Sequence, residues 1–409
     1  MTRSRGFQTC LVLFAAVLAL PLAAQAASVA SGGTVLAADT LDQRVDESLG
    51  GSPTLRVQDH RLVNGAGQDL QLRGVNRAVF ESRCTYDNTG IADGPIDQTS
   101  VSAMLAWKIN AVRVTLNEDC WLGINGLPLD GNAASYRAEV SDYVGLLRRN
   151  GLYVLLVPES SAPGTQRSTQ IDYMPDSDYM LAFWSSVAAT FKDDHGIVFD
   201  PITEVAIASV NNPHPDPPGE WNCWLLGCTL DSVYGGRFVA AGLHSLVDAI
   251  RSQAATQPIV VGGISYNADL SQLLSHLPSD PQHQLIASAH VYDFAEGSDI
   301  DAMFANQLAP IAKQLPVILG ELGERSCDSG PAAYTSHVLS LVDDQAAKGN
   351  LFGVLGWTWN AKTNTSSGWQ CPTGPFGKGG PLLIRDYAGT PTVMGGVLRT
   401  WIRSKAGSP

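Results

Sequence analysis

From residue 72 to residue 359 the chain alternates between two patterns of apolar positions. Short, near-continuous apolar runs occur at Leu72–Val75, Ala111–Leu116, Tyr153–Val157, Ile202–Ala208, Pro258–Gly263, Leu285–Val291, Pro316–Gly320 and Phe352–Trp359. Between them lie stretches at 98–108, 136–150, 178–192, 236–255, 300–314 and 332–348 whose apolar residues recur at three- and four-residue spacing, the helical period. Near-continuous apolar strands are what a parallel sheet covered on both faces requires. Eight such strand-to-helix units predict a (β/α)8 TIM barrel, although the helices after strands one and five are short or interrupted. A doubly wound open sheet is built from the same βαβ units and stands as the alternative. Ahead of the barrel, Leu55–Val57 and Arg61–Val63, the turn Asn64-Gly65 and Leu70–Leu72 predict a short β-hairpin.

The first residues follow a different rule. Arg3 and Arg5 precede an apolar run from Cys10 to Leu22, and Ala24-Gln25-Ala26 supplies a small-residue cleavage pattern. Together they predict a secretory signal peptide over 1–26. The run is too short to span a bilayer. Residues 27–53 are rich in Ala, Ser, Gly, Thr and Asp without sustained periodicity and read as a flexible lead-in, leaving 54–409 as a single domain. Export also changes what the cysteines mean. Cys10 leaves with the leader, and the even set Cys84, Cys120, Cys223, Cys228, Cys327 and Cys371 then suggests disulfides, with Cys223 and Cys228 close enough for a local staple. No C-x-x-C pair or finger-like histidine spacing points to zinc, and neither metal nor cofactor is expected.

Hydrophobic residues make up 44% of the 409, enough for a packed core, and charged residues only 16%, with a net charge of −13. An acidic, charge-poor chain lacks the clustered Lys and Arg that nucleic acid or an anionic membrane demands, so a neutral ligand and a monomeric protein are expected.

In a barrel the active site forms at the C-terminal ends of the strands. Those ends carry Asn76, Asn117-Glu118-Asp119, Glu159, Asn211-Asn212, Tyr266-Asn267, His290, Tyr292, Glu321, Trp357 and Trp359. Polar and aromatic groups of this kind hydrogen-bond hydroxyls and stack on sugar faces. No G-x-S-x-G, H-E-x-x-H, Walker loop or dinucleotide fingerprint competes.

At these residues the chain resembles glycoside hydrolase family 5, the cellulase-like retaining glycosidases, over roughly residues 55 to 403. Leu72-Arg73-Gly74-Val75-Asn76 is similar to the family's opening strand, and Asn110-Ala111-Val112-Arg113-Val114 to its second, with Arg113 at the active-site arginine. Val210-Asn211-Asn212-Pro213-His214 sits where the family has Asn-Glu-Pro, His290-Val291-Tyr292 resembles His-x-Tyr, and Leu319-Gly320-Glu321-Leu322-Gly323 the nucleophile strand. Trp357-Thr358-Trp359 resembles the aromatic end of strand eight. The resemblance implies Glu321 as nucleophile and a sugar site made by Arg113, Asn211, His290, Tyr292 and Trp359, the last a candidate stacking platform.

Two positions depart from that pattern. Asn212 stands where the family has its acid/base glutamate, and an amide has no proton to give in the useful range. Strand three ends in Val157-Pro158-Glu159 where the family commonly has Asp-Leu-His. General acid catalysis contributes about 10²–10⁴-fold, so its loss weakens such an enzyme without abolishing it. Two readings follow. The first is a secreted hydrolase of β-linked glycans with Glu321 as nucleophile and a relocated acid/base, Glu159 first, with Asp216 or Glu220 also conceivable. The second is a carbohydrate-binding pseudoenzyme that keeps the cleft without turnover.

Overall fold

The computed structural model of the chain describes residues 52–86, 90–207, 219–293, 299–325, 328, 330–361 and 381–406. The leader, the lead-in up to Gly51, Asn211, Asn212, Asp216, Cys327 and Cys371 lie outside them.

Strands β1 (Leu55–Gln58) and β2 (Arg61–Asn64) form the antiparallel hairpin expected ahead of the barrel. Eight further strands, β3 (Arg73–Arg77), β4 (Ala111–Asn117), β5 (Tyr153–Ser160), β6 (Ile197–Phe199), β9 (Ile259–Gly262), β10 (Leu285–Tyr292), β11 (Val317–Gly323) and β12 (Gly353–Gly356), close into a parallel barrel. Between β6 and β9 an antiparallel pair, β7 (Thr229–Asp231) and β8 (Arg237–Val239), forms a separate two-stranded sheet. The closed barrel excludes the doubly wound alternative.

Two apolar layers hold the barrel. Inside it, Leu72, Ala111, Tyr153, Leu155, Val198, Val260, Ile286, Ile318 and Leu355 make one buried cluster with Leu55, Val57 and Leu62 of the hairpin. Leu55 N–H donates to the carbonyl of His195 (3.0 Å) and Val57 N–H to Gln284 Oε1 (2.7 Å), just before β6 and β10 begin. The hairpin therefore plugs the N-terminal mouth. Outside, Val112, Val114 and Leu116 of β4 belong to the same core as Val140, Val144 and Leu147 of the helix Ala133–Arg149.

Side chains alternate along a strand, so stepping by two from the inner apolar layer leads to the opposite mouth. Leu72 leads to Asn76, Ala111 to Arg113, Tyr153 to Glu159, Val198 to Asp200, and Ile286 to His290 and Tyr292. The sequence period thus concentrates polar groups at the C-terminal end of the barrel.

Two elements differ from the sequence reading. The fourth strand is Ile197–Phe199, ahead of the apolar run at 202–208. Asp200-Pro201 terminates it, since proline cannot donate to a sheet ladder. The stretch 236–255 is not one helix: β8 occupies its start, and the helix is Leu243–Arg251, capped by Gly242. Two disulfides are present among the described residues, Cys223–Cys228 as the local staple and Cys84–Cys120, which ties the helix Phe80–Tyr86 to Glu118–Leu122.

Candidate active site

Arg113, fully buried on β4, organises the site. Its Nε donates to Asp200 (2.7 Å), its Nη2 to Thr203 Oγ1 (2.9 Å), and its Nη1 to Asn76 Oδ1 (3.0 Å) and Glu321 Oε1 (2.7 Å). Asn76 is itself held, donating to the Gly320 carbonyl at 3.0 Å. The ion pairs with Asp200 and Glu321 raise the arginine's pKa against the cost of its burial, so the guanidinium is a fixed positive charge.

Glu321 reaches the site through an irregularity. Along β10 and β11 the pairing moves from Ala289–Leu319 to His290–Glu321, leaving Gly320 as an additional residue. Bulges of this kind re-aim a side chain at barrel rims. Glycine suits that position, since a β-carbon would displace the Ser288 hydroxyl and press on His290. The Tyr292 hydroxyl donates to Glu321 Oε2, and burial pushes the tyrosine's pKa well above its ordinary value, so the donor stays protonated. Burial also raises Glu321, while His290, Arg113 and Tyr292 oppose that rise.

His290 stands between two carboxyl groups. Its Nδ1 lies 3.1 Å from Glu204 Oε1 and 3.5 Å from Glu321 Oε2, and its Nε2 lies 3.3 Å from the Asn267 side-chain amide. Desolvation depresses its pKa to about 4, so the ring is neutral. These partners assign the proton to Nδ1, donating toward the carboxylates, with Nε2 accepting from Asn267.

Glu204 is the residue that strand reading from sequence missed. One oxygen of Glu204, one of Glu321 and a His290 nitrogen all lie within 4.8 Å of one another. Burial raises the Glu204 pKa to about 7, with Arg113 opposing. Its backbone is left-handed, with φ of 49°. A non-glycine residue held there is uncommon, and such strain gathers at functional sites. The signal was present in the run Ile197-Val198-Phe199-Asp200-Pro201. Reading the strand at 202–208 instead moved the search for the site from the loop after Phe199, which carries Glu204, to Asn211-Asn212, which lie outside the described residues.

Of the other expected residues, Arg113, His290, Tyr292 and Glu321 come together as stated. Glu159 joins them, its Oε2 4.0 Å from Arg113 Nη1, and burial with the nearby Glu321 charge raises its pKa well above the carboxylate range. Trp359 does not offer a stacking face: it is fully buried and meets Trp107 edge to face, ring centroids 4.9 Å apart. The exposed aromatic at a strand end is Tyr266, 52% exposed, its N–H bonded to the Val205 carbonyl at 2.8 Å. Glu220, another conceivable acid, begins the helix Glu220–Leu226, and no contact joins it to this cluster among the described residues. Glu204, His290 and Glu321 are, among the described residues, the one group with metal-like spacing, and the same trio has the composition of a carboxyl pair around a bond to be cleaved.

The family model described as Cellulase (glycosyl hydrolase family 5) matches residues 63–363. Among solved structures, a beta-glucanase from Saccharophagus degradans is similar at a TM-score of 0.60 and 15% identity, covering 86% of this chain and 94% of that one. The catalytic domain of the major endoglucanase from Xanthomonas campestris pv. campestris gives 0.58 and 16%, covering 86% and 99%. The S. degradans enzyme is also known in complex with cellotetraose, with a TM-score of 0.59, 16% identity and coverage of 86% and 94%. No curated protein matches the chain.

Proposed function

The chain belongs to glycosyl hydrolase family 5, the cellulase family, and from that premise we propose that it is an exported, retaining hydrolase of β-linked glucans with Glu321 as nucleophile and Glu204 as acid/base. The observation that carries this reading is the Glu204–His290–Glu321 cluster, in which oxygens of the two glutamates lie within 4.8 Å. Retaining pairs of carboxyl groups stand about 5–5.5 Å apart, a spacing compatible with one oxygen of each glutamate lying within 4.8 Å of the other. The similar structures bearing glucanase names, one with cellotetraose bound, support a cello-oligosaccharide as the ligand class.

In the first step the ionised Glu321 attacks the anomeric carbon while Glu204, protonated, gives its proton to the glycosidic oxygen, and the leaving sugar departs as an alcohol. In the second, Glu204 as carboxylate takes a proton from water, whose oxygen displaces Glu321 from the anomeric carbon and restores both groups. Arg113 and the Tyr292 hydroxyl supply the charge and hydrogen bond that favour the ionised nucleophile. Neutral His290 spaces the two carboxyl groups without adding charge. Tyr266, whose N–H bonds the carbonyl of Val205 beside Glu204, is the aromatic available to an aglycone sugar.

This reading replaces Glu159 and Asn212 in the acid/base role. Glu204 is closer in chemistry: it shares His290 with the nucleophile, and its pKa near 7 suits a group that must both give and take a proton. The pseudoenzyme reading rested on an amide at Asn212, and a carboxyl group at Glu204 removes that ground. Export is supported by the leader pattern, by two disulfides and by the fact that no helix among the described residues is long and apolar enough to cross a membrane.

Aryl β-cellobiosides test the assignment. Glu321→Ala should abolish release of any aryl group. Glu204→Ala should lose about 10²–10⁴-fold in kcat/KM, which reports the first step, on substrates whose leaving group needs a proton and far less on dinitrophenyl substrates. Equal loss on both kinds of substrate would remove Glu204 as the acid.

A further inference from the structure

A third carboxyl group faces the same cleft and takes no part in that double displacement. Glu159 is the penultimate residue of β5, on the inward-facing side that also carries Tyr153 and Leu155. The pairing of β4 with β5 passes from Leu116–Pro158 to Asn117–Ser160, so Glu159 is the additional residue of a bulge. This repeats the device that aims Glu321 from β11. Its side chain is 15% exposed, yet its Oε2 is buried and without a hydrogen-bond partner.

Among the described residues, none donates a hydrogen bond to that oxygen. Arg113 Nη1, at 4.0 Å, carries two hydrogens, and both are spent on Asn76 Oδ1 (3.0 Å) and Glu321 Oε1 (2.7 Å). Of the three remaining N–H groups, that of Nε goes to Asp200 and one of the two on Nη2 goes to Thr203. One guanidinium therefore faces Asp200, Glu321, Glu204 and Glu159, with His290 neutral, and it cannot balance four negative charges. A neutral glycan brings no cation to help. Burial, and after it the nearby Glu321 charge, push the Glu159 pKa well above its ordinary value, with Arg113 opposing. A carboxyl group accepts from an alcohol in either form and, when protonated, also donates to it.

We propose that Glu159 is a substrate-binding residue whose carboxyl group hydrogen-bonds a ring hydroxyl of the sugar that Glu321 attacks. The placement beside the guanidinium that grips the nucleophile puts this contact on the glycone sugar, away from the leaving group. The inference rests on the reading of Glu321 and Glu204 as the hydrolytic pair. It makes Glu159 a determinant of which sugar is accepted, since a site with a buried hydrogen-bonding group rejects a ligand that leaves it unpaired.

The test is a cycle of enzyme and substrate deletions. Wild type, Glu159→Gln and Glu159→Ala are compared on an aryl β-cellobioside and on its analogues singly deoxygenated at the 2-, 3- or 6-hydroxyl of the ring bearing the aryl group. Thermal melts confirm that each variant folds. Wild type should lose about 10–100-fold in kcat/KM on one analogue. Glu159→Ala should lose a similar factor on the parent and nothing further on that analogue, while Glu159→Gln, which keeps a donor and an acceptor, stays within about 5-fold of wild type. Equal deoxygenation losses in wild type and Glu159→Ala at every hydroxyl would overturn the proposal. So would rescue of Glu159→Ala by azide, which would mark Glu159 as the acid/base. If wild type shows no Glu321-dependent turnover, the hydrolase reading fails, and the same cycle read as Kd by calorimetry still decides whether Glu159 holds a hydroxyl.

Discussion

Glu204 and Glu321 differ in what surrounds them, and the proposed division of roles rests on that difference. Glu321 accepts from Arg113 and from Tyr292, whereas Glu204 has only the neutral His290 beside it and the arginine at longer range. Glu321 ionises first, and Glu204 keeps its proton to about pH 7. Activity should therefore fall on the acid side as Glu321 protonates and above about pH 7 as Glu204 loses its proton. The same shift has a consequence for stability. A carboxyl group whose pKa is raised from 4.5 to about 7 by folding stabilises the fold below pH 4.5, and that contribution disappears as pH rises through 7. Glu204→Gln cannot ionise, so it should unfold at a higher temperature than wild type at pH 8 and gain nothing at pH 4. The gain at pH 8 is about 1–3 kcal/mol, reduced by the partial exposure of the side chain. An unchanged melting temperature at pH 8 would mean that the group is not buried in its charged form.

At the scale of elements, the hairpin and the site occupy opposite mouths of the barrel. Leu62 packs in the inner cluster with strand residues such as Leu155 and Ile286, and no polar group of the site touches it. Leu62→Ala should cost about 2–5 kcal/mol in urea unfolding and leave kcat/KM of the folded protein unchanged. Loss of activity in the folded variant would show that the plug positions the site as well as closing the barrel. Most of this architecture was legible in the sequence, because parallel barrel strands are apolar on both faces and separated by helical periods. His290, Tyr292 and Glu321 were legible too, each lying at or just beyond the end of an apolar run, whereas Arg113, in the middle of its run, was legible only through the family resemblance. Glu204 was not, because β6 has three residues and its end is separated from Glu204 by Asp200, Pro201, Ile202 and Thr203. An apolar run just beyond, at 202–208, imitated the strand. Trp359 was misjudged for a different reason: aromatic spacing reports hydrophobicity, and burial against Trp107 depends on helices distant in sequence.

The whole molecule is an acidic barrel, net charge −13, whose site concentrates four carboxyl groups around one arginine. Such a site repels anionic glycans and suits a neutral one, and it must keep some carboxyl groups protonated to exist at neutral pH. The account depends most on Glu321 being the residue that bonds to sugar. A 2-deoxy-2-fluoro-β-cellobioside with a dinitrophenolate leaving group measures this directly, because the fluorine slows hydrolysis of the glycosyl-enzyme and the good leaving group lets it form. Peptide mapping by mass spectrometry should find one sugar per protein on the peptide carrying Glu321, in wild type and in Glu159→Gln alike. A label on Glu204 or Glu159, or aryl release with no covalent sugar, would contradict the account.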